Sequence, residues 1–321
     1  MNDSSNQPQV SIIVPAYNAG AYLRPALLSA LRQTCRDIEV LLIDDGSTDG
    51  SMETIGDVVD PRLTVVRQPN AGRAAALNRG LDAARGRFYT TVDADDLCAE
   101  NRVERQVAAL REQPELACVF CGYDLILNGR RTAPLFQART AEECRLLIDR
   151  LAMPGHDPTG MYRLSMVGDL RYEEAMKIGA AYDYVLRVGE RHPVMVLGEC
   201  LYSYRAHSGS ATRKDPKTRL HYVKEVHRRA GLRRGVPEEQ LPQWDRTPIP
   251  GKWKNRDYDN NLAARFVESV LCLRRAGRRM EAAMTGLKSA AIHPLDPYYY
   301  KPLAYSLLPL NLVRAWRRAP V

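Results

Sequence analysis

The sequence of 321 residues lacks any apolar run long enough to cross a membrane, since a span needs about 18 apolar residues or more. The nearest candidate, LAYSLLPLNLV at 303–313, is short and contains a proline. The first nine residues, MNDSSNQPQ, have neither a basic start nor an apolar core, so they indicate a short disordered tail and not a signal peptide. We therefore expect a soluble or peripheral protein, located in the cytoplasm or on the inner face of the membrane.

Cysteine is also scarce, and its pattern excludes a disulfide framework or a zinc site. The chain has seven cysteines, an odd number, and they are scattered. Cys118 and Cys121 form one CxxC, but they lie in the apolar run ACVFCGY, which favours buried strand thiols. No second pair completes a zinc site. Reduced thiols fit a cytoplasmic compartment.

Two common phosphate-binding motifs are missing. No GxGxxG follows the first apolar run, and no GxxxxGK[ST] occurs anywhere in the chain. These motifs mark the ordinary dinucleotide and P-loop sites. The sequence therefore excludes both of those nucleotide-binding classes.

The charge is ordinary in amount but uneven in distribution. Hydrophobic residues make up 45% and charged residues 26% of the chain, which is typical of a globular protein. Residues 1–204 carry 22 basic and 28 acidic residues, net −6, whereas residues 205–321 carry 24 and 10, net +14. The basic part indicates an anionic membrane surface as partner, or only solvated helix faces. Nucleic acid is not expected, because no matching motif is present.

Apolar strands alternate with helical patterns over the first 125 residues. Strands are predicted at 10–14, 38–43, 62–66, 87–92 and 116–127, and helices at 19–34, 50–59, 73–84 and 99–113. This alternation is typical of a parallel sheet covered on both faces. Further on, the pattern predicts helices at 140–152, 181–191, 217–234, 257–276 and 278–291, and strands within 194–205. We predict a doubly wound, mostly parallel α/β domain over 10–212 and a basic, mainly helical region over 213–321.

Polar clusters follow four successive predicted strands. They read PAYN (15–18), DDGSTD (44–49), NAGR (70–73) and DADD (93–96). The carboxyl ends of strands are the edge where open α/β sheets bind ligands. Turn chemistry explains one such cluster, but four in succession indicate a binding site.

The chemistry of these clusters indicates a metal-bridged phosphate ligand. Three aspartates in four positions repel one another, and some should resist ionising unless a cation lies among them. Mg²⁺ or Mn²⁺ bound to carboxylates bridges to substrate phosphates. Arg73, at the start of a predicted helix, adds a cationic phosphate partner.

The segments VSIIVPAYNAGAYL, VLLIDDGSTDGS, NAGRAAALNRG and DADD resemble the inverting family 2 of nucleotide-sugar glycosyltransferases, which have the Rossmann-like GT-A fold. SYRAHSGSAT at 203–212 resembles that family's downstream YRxHxxS segment. The resemblance covers residues 9–212 with five motifs in the family's order, and the final third resembles nothing that we can name. It implies transfer of a sugar from a nucleotide donor, first of all a UDP-sugar, to a glycan or lipid-linked acceptor.

The resemblance also implies roles for individual residues. The donor would be held by Pro15, Ala16, Tyr17, Asn18, Asp44, Asp45, Asn70, Arg73, Asp93 and Ala94. Among these, Tyr17 would face the nucleobase, and Asp45 would accept from the ring N–H of the base. Asp44 would help Asp45 or only cap a helix. Arg73 would contact the nucleotide and Asp93 the ribose.

The same resemblance implies a Mn²⁺ or Mg²⁺ cofactor. Asp95 would bind the metal, and His207 would reach the metal or the diphosphate. Asp96 would either support the metal ligands from behind or face the acceptor.

The expected catalytic base is missing. An inverting transfer needs a carboxylate that deprotonates the acceptor hydroxyl, and in the family this is the Asp of a Glu-Asp pair in G-E-D-Y-D-L-W-L-R. Here GAAYDYVLRV (179–188) places Ala180 and Ala181 at the pair. Asp183 is the nearest carboxylate, but residues two apart on a helix point about 200° from each other. Asp183 could substitute only if the helix starts later than the pattern predicts.

Three explanations of Ala180-Ala181 stay open: an engineered inactivating substitution, a natural departure with the base elsewhere, or a natural binding-only relative. The alternative function is therefore a catalytically silent protein that binds a sugar nucleotide or a glycan. A nucleotidyltransferase is disfavoured, because PAYNAGAYL lacks a glycine-rich basic loop. A phosphatase would need its nucleophilic Asp after the first core strand, not the fourth.

Overall fold

The computed structural model describes most of the chain. The described residues are 7–127, 130–131, 137–206, 216–240, 266–267, 269–271, 273–275, 277–292, 294–309 and 312–313. Contacts divide the chain into two compact units. The first comprises Met1–Tyr123 and Ala138–Pro242, and the second comprises Asp124–Gln137 and Gln243–Val321.

Strands and helices alternate along the first unit. The strands are β1 (Val10–Ala16), β2 (Ile38–Asp44), β3 (Leu63–Arg67), β4 (Phe88–Thr91), β5 (Leu97–Cys98), β6 (Cys118–Leu127), β8 (Gly160–Arg163) and β9 (Val194–Ala206); β6 ends in the second unit, which also holds β7 (Arg130–Arg131). The helices are α1 (Leu23–Leu31), α2 (Arg73–Ala83), α3 (Arg102–Glu112), α4 (Ala141–Asp149), α5 (Leu164–Val167), α6 (Ala180–Arg191) and α7 (Pro216–Arg233). Short 3-10 helices lie at Gly20–Tyr22, Glu53–Ile55, Asp157–Thr159 and Glu238–Gln240.

The strands form one sheet in the order β3-β2-β1-β4-β8-β6-β9-β5, with β7 paired to β6. The first four strands of this order are parallel. β8 is antiparallel to β4 and β6, and β5 is antiparallel to β9. The four parallel strands therefore end at one edge of the sheet, which is where the four polar clusters follow.

Both faces of the parallel part are covered, as the sequence pattern predicts. Alternate residues of β1 enter two different cores, because successive side chains of a strand point to opposite faces. Ile12 and Val14 pack in the core that contains α1 and α3 residues. Ile13 packs in the other core, with Leu77 of α2. Cys118 and Cys121 are buried in β6, which confirms that they are strand thiols.

The predicted helix at 50–59 is wrong. Only the single 3-10 turn Glu53–Ile55 forms there. Gly50 has a φ of 79°, a left-handed backbone conformation that a right-handed helix does not contain. In so short a segment, few helical hydrogen bonds form to offset the free-energy cost of nucleating a helix. The predicted strands at 116–127 and within 194–205 are single strands, β6 and β9. The predicted helix at 257–276 lies partly outside the described residues.

Apart from β7 and the end of β6, the described elements of the second unit are helical. Its elements are the helical residues within 266–275, α8 (Arg279–Ile292), a 3-10 helix (Pro297–Tyr300) and α9 (Lys301–Leu307). Val270, Leu273, Ala282 and Tyr305 belong to its apolar core. Within the part of the chain that the structure describes, no helix has the length and apolar character needed to cross a membrane.

Helix α7 packs on the first unit, beyond the position at which we expected a separate region to begin. Val226 and Ala230 are buried in the core cluster that contains residues of α6. The Oη of Tyr182 lies 2.8 Å from the Nε2 of His227. Apolar packing and this hydrogen bond therefore join α7 to α6.

The burial of His227 predicts a pH-dependent stability. Burial lowers the pKa of His227 below its ordinary value of 6.5, while a backbone hydrogen bond at Leu151 opposes this change. Because the folded state prefers the neutral ring, this contribution to stability is present above pH 6.5 and is lost as the pH falls through the lowered value. We expect His227→Gln to flatten the loss of unfolding free energy on acidification, measured by urea denaturation over a pH series.

Leu232→Gln, at an exposed position of the same helix, is the matched control, because it introduces glutamine without removing a titratable group. An equally steep pH dependence in wild type and His227→Gln would contradict the prediction.

Candidate functional site

The loops after β1 and β2 are tied to each other by side chain to backbone hydrogen bonds. The Oδ1 of Asn18 accepts from the N–H of Thr48 at 2.8 Å, and the N–H of Asn18 donates to the Oγ of Ser47 at 3.1 Å. The N–H of Gly20 donates to the Oδ2 of Asp49 at 2.9 Å. Asn18 has a φ of 48°, which asparagine tolerates better than most residues. These contacts fix the ends of the PAYN and DDGSTD clusters relative to each other.

Asp45 ties the loop after β2 to the loop after β3. Its buried carboxylate accepts from the N–H of Ala71 at 2.9 Å and from the N–H of Gly72 at 2.8 Å. It also accepts from the Nε2 of Gln68 at 2.7 Å and from the Nδ2 of Asn70 at 3.3 Å. Four donors thus surround the two oxygens of Asp45. The expected contact between Asp45 and a nucleobase would have to compete with all of them.

Gly46 makes the close approach of these two loops possible. Its φ is 76°, and a Cβ at this position would lie 3.0 Å from the backbone nitrogen of Asn70 and 3.3 Å from the carbonyl oxygen of Gln68. A larger residue would push the loops apart. The glycine in DDGSTD is therefore required by the contact that Asp45 makes.

A cavity of about 490 Å³ opens beside these loops. Residues from the ends of β2 and β3 and the following loops line it, namely Asp44, Gly46, Ser47, Thr48, Gly50, Met52, Glu53, Arg67, Gln68 and Pro69. The Oδ1 of Asp44 accepts from the N–H of Ser47 at 2.9 Å, and its Oδ2 lies 3.7 Å from the Nε of Arg67. Asp44, and not Asp45, is thus among the residues that line the cavity. The sequence analysis did not single out Arg67 or Gln68.

The residues expected to hold the donor differ in accessibility. Tyr17 is 53% exposed at the end of β1, so its ring is available to a ligand. Pro15 and Ala16 are buried in β1, and Ala94 is buried in the core. These three contribute their backbone and packing rather than an exposed side chain.

Arg73 joins the loop after β3 to the loop after β4. Its Nε and Nη2 donate to the Oδ1 of Asp93 at 2.9 and 2.7 Å. The same Nη2 lies 3.6 Å from the Oδ2 of Asp157. Asp93 and Asp157 thereby fix the guanidinium at the carboxyl edge of the parallel strands, where Arg73 was expected.

Asp157 is a further residue of the site that the sequence pattern does not indicate. It is buried, and its Oδ1 accepts from the hydroxyls of Tyr162 at 2.9 Å and Tyr172 at 3.1 Å. Burial raises the pKa of Asp157, and Arg73 opposes this. The signal was weak because Asp157 stands in HDPTG, between segments with no clear period. Its importance comes from contacts with residues distant in the chain.

The DADD cluster is held by the last residues of β9. The fully buried carboxylate of Asp96 accepts from the hydroxyl of Tyr202 and from the N–H of Arg205, both at 2.7 Å. The Nε of Arg205 donates to the carbonyl oxygen of Asp95 at 2.8 Å. Because Asp96 has no exposed surface, its contacts favour support of the loop over facing an acceptor.

The crowding of the three aspartates has the expected effect on Asp96. Burial raises the pKa of Asp96 well above its usual range, and the neighbouring carboxylates of Asp93 and Asp95 raise it further. The hydrogen bonds from Arg205 and Tyr202 act in the opposite direction. Asp96 is therefore the aspartate of the cluster that resists ionising.

The described residues do not form a complete protein-only metal site. Among them, no group of three or more His, Cys, Asp or Glu side chains is placed to hold a metal ion. Asp95, half-buried in the DADD loop, is the expected ligand, and His207 lies outside the described residues. A single carboxylate fits a Mg²⁺-type site only if substrate phosphates supply further ligands.

The start of α6 defines the surroundings of Ala180 and Ala181. The helix begins at Ala180, after Gly179 with a φ of 94°. Ala180 is buried in the apolar cluster and Ala181 packs against it. The later helix start that Asp183 would need to act as a base is therefore not observed. The Oδ2 of Asp183 accepts from the Nε of Arg187 at 2.7 Å, and its Oδ1 accepts from the Nη1 of Arg233 at 3.0 Å.

Taken together, the fold and the edge define a class of protein. It is an α/β domain with the GT-A, Rossmann-like arrangement, in which carboxylates and an arginine gather where parallel strands end. Residues 11–170 match the model of Glycosyl transferase family 2. The chain belongs to that family.

Curated relatives match part of the chain. A glycosyltransferase of Haemophilus influenzae is 46% identical over 105 residues, which are 32% of this chain and 42% of the relative. The glycosyltransferase EpsJ of Bacillus subtilis is 40% identical over 127 residues, which are 39% of this chain and 37% of EpsJ. The chain thus spans about two fifths of the length of these relatives.

Solved structures with the same fold cover nearly the whole chain. S. aureus TarS 1-349 in complex with UDP-GlcNAc has a TM-score of 0.58 at 18% identity, over 97% of this chain and 92% of TarS 1-349. The UDP complex of the same protein has a TM-score of 0.57 at 19% identity, over 92% and 90% of the two chains. At this identity the likeness establishes the fold alone.

The contacts of Asp45 predict that Asp45→Asn destabilises the protein. Asparagine keeps one carbonyl oxygen, but its amide group would face the backbone N–H of Ala71 or Gly72, which would lose its acceptor. We expect a loss of about 1–3 kcal/mol in the free energy of unfolding, measured by urea denaturation.

Asp57→Asn is the control, because Asp57 is exposed and pairs with Arg24 at the surface, where such pairs contribute about 1 kcal/mol or less. Equal losses in the two variants would show that Asp45 does not hold the loops.

Proposed function

We propose that the protein transfers a sugar, with inversion, from a nucleotide-sugar donor to a glycan or lipid-linked acceptor. The observation that carries this proposal is the hydrogen-bonded continuity of the four strand-end loops. Asn18, Asp45 and Arg73 each join one loop to another, so the polar groups of all four clusters act as one site. Family membership and the GT-A fold support the same reaction class.

The geometry supports a uridine nucleotide in the cavity beside β2 and β3. In this proposal Asp44 accepts from the ring N–H of the base, because its carboxylate lines the cavity while that of Asp45 is held by four donors. The exposed ring of Tyr17 stacks on the base. The occurrence of UDP and UDP-GlcNAc in the TarS complexes supports a UDP-sugar.

Arg73 and Asp93 are proposed to hold the ribose and the diphosphate side of the donor. The guanidinium of Arg73 retains a donor group, Nη1, for a phosphate oxygen while Nε and Nη2 bind Asp93. Asp157 orients the guanidinium of Arg73 through its contact with Nη2. These residues therefore position the leaving group without supplying a proton to it.

The proposed cofactor is Mn²⁺ or Mg²⁺ bound through Asp95, with His207 as a second candidate ligand. Such a metal neutralises the charge that develops on the nucleoside diphosphate when the sugar leaves. Because the described residues offer too few ligands for a protein-only site, the metal should bind with the donor and not before it.

This dependence predicts the result of a thermal-shift experiment. UDP-GlcNAc with Mn²⁺ should raise the Tm, since a ligand at about 100 times its Kd stabilises the folded state by about 2.7 kcal/mol. Mn²⁺ alone should leave the Tm unchanged. A panel of other nucleotide sugars, with and without Mn²⁺, identifies the donor.

Asp44→Asn should reduce the shift by UDP-GlcNAc, and Asp57→Asn is its surface control. A change in Tm caused by Mn²⁺ alone would contradict the proposal that the metal binds only together with the donor. A Tm that no nucleotide sugar changes would contradict the proposed donor class.

The alternative proposal is a catalytically silent protein that binds the donor. The observation that favours it is the apolar surroundings of Ala180 and Ala181, together with the two ion pairs that occupy Asp183. On this account the donor site is intact and the base is absent. An engineered or natural replacement of a Glu-Asp pair at this position has the same consequence.

Restoring the pair distinguishes the two proposals. If Ala181 occupies the position of the base, Ala180→Glu combined with Ala181→Asp should raise acceptor-dependent transfer by about 10²–10⁴-fold. Transfer is measured as acceptor-dependent release of the nucleoside diphosphate, with donor hydrolysis measured alone.

Ala175→Asp, at an exposed alanine upstream of α6, is the control and should have no effect on transfer. Unchanged transfer in the restored variant, with its Tm and donor binding retained, would favour the binding protein or a base located elsewhere.

We further propose that the protein acts in the cytoplasm, at the inner face of a membrane that carries lipid-linked acceptors. The net charge of +14 over residues 205–321 supports attraction to anionic lipid. The acidic DADD cluster would repel the phosphates of a nucleic acid, so nucleic acid is not the proposed acceptor.

A further inference from the structure

Helix α8 of the second unit carries its large apolar side chains on the outside. Met280, Met284 and Leu287 are 79%, 54% and 56% exposed, and Ala291 is exposed as well. Their spacing of four, three and four residues places them on one stripe along the helix. An apolar stripe of this kind on the solvent side marks an interaction surface.

The inner face of α8 explains why these side chains cannot turn inward. The residues buried there are small: Ala282, Thr285, Gly286, Ser289 and Ala290. A Cβ at Gly286 would lie 2.5 Å from the Cα of Leu303 in α9. Rotation of α8 would therefore force a methionine or leucine into a space that admits only glycine.

The segment that follows α8 adds further exposed apolar and aromatic side chains. Leu295 is 97% exposed, Leu307 is 70% exposed, and the ring of Tyr298 is also exposed. Tyrosine is enriched where an apolar phase meets a polar one, because its ring and its hydroxyl favour different surroundings.

The charge of this part of the chain is strongly positive. Residues 273–309 contain six cations against two carboxylates, Glu281 and Asp296; the cations are Arg274, Arg275, Arg278, Arg279, Lys288 and Lys301. Glu281 is bound by Arg278 through two hydrogen bonds of 2.6 and 2.5 Å. The Oδ1 of Asp296 accepts a hydrogen bond from the N–H of Tyr298 at 2.9 Å. Both carboxylates are thus engaged within the unit.

We propose that the stripe of Met280, Met284, Leu287 and Ala291 docks on an anionic membrane surface, with α8 lying in the plane of the interface. A basic amphipathic helix binds such a surface by burying its apolar stripe among the lipids and pairing its cations with the headgroups. A second copy of this chain fits this stripe less well than an anionic membrane does. A two-fold contact between identical faces would bring like-charged residues together.

This inference rests on the proposed function for its biological consequence, which is to bring the donor site to lipid-linked acceptors. The docking itself depends only on the surface of α8. Vesicle binding and donor binding are therefore measured separately on the same proteins.

The experiment uses the full chain and sedimentation with vesicles. One set of vesicles contains phosphatidylcholine with phosphatidylglycerol, and the other contains phosphatidylcholine alone. The test variant combines Met280→Ser, Met284→Ser and Leu287→Ser. The control combines Val59→Ser and Leu146→Ser, which remove exposed apolar side chains from the first unit.

We expect wild type and the control to bind the anionic vesicles. The affinity of the test variant for these vesicles should be lower by about tenfold or more, since burial of apolar side chains drives interfacial binding. Raising the salt concentration should weaken binding of the wild type, because it screens the cations. The thermal shift by UDP-GlcNAc with Mn²⁺ should be the same in the test variant as in wild type, which shows that the variant is folded.

Undiminished vesicle binding by the test variant would overturn the inference, and so would equal binding of wild type to both kinds of vesicle. A third such result has two parts: light scattering shows that wild type is a dimer and the test variant a monomer, while vesicle binding is the same in both. The last result would assign the stripe to a second copy. A wild type that binds vesicles but no nucleotide sugar would instead overturn the proposed function and leave the docking surface standing.

Discussion

The carboxylate of Asp45 holds together the loops that follow β2 and β3 at the carboxyl edge of the parallel strands. It is buried, and it accepts from the backbone N–H groups of Ala71 and Gly72 in the next strand-end loop, which would lose this acceptor if the carboxylate were replaced. The close approach that this requires is possible because residue 46 is glycine. Asp44, the adjacent residue, lines the cavity, and its own carboxylate accepts from the N–H of Ser47. Asp45 thus organises the loops beside a cavity that its neighbour lines.

The second half of the edge is organised by an arginine between two carboxylates. Arg73 contacts Asp93 and Asp157, and Asp157 is in turn held by two buried tyrosines. Behind the DADD loop, Asp96 is bound by Tyr202 and has a raised pKa. The members of the acidic cluster therefore differ in their surroundings: Asp96 is a buried support, Asp93 is bound by Arg73, and Asp95 is half-buried. This division reduces the repulsion that three adjacent aspartates would otherwise suffer.

Much of the fold was predictable, because the parallel strands are short apolar runs whose side chains enter two cores. β1 illustrates this, with Ile12 and Ile13 in different clusters. The segment 50–59 was not predictable in the same way, since its helical spacing of apolar residues is overridden by a glycine with positive φ at residue 50. The packing of α7 on α6 through Val226 also depends on contacts between distant segments, and no local pattern reports it.

The sequence by itself determined the class of fold, the family and the positions of the four polar clusters, since strand periodicity and strand-end turns are local properties of the chain. Its resemblance to the family also implies that Ala180 and Ala181 stand where the family has a Glu-Asp pair. Only the tertiary structure decided which residue of a pair lines the cavity and which ties two loops together, as for Asp44 and Asp45, and brought Asp157 to Arg73. Only the tertiary structure turned the methionines of α8 outward, because Gly286 leaves no room for them on the inner side. The physical reason is the same in each case: hydrogen-bond partners and packing neighbours lie far apart in the chain, and their selection depends on three-dimensional proximity.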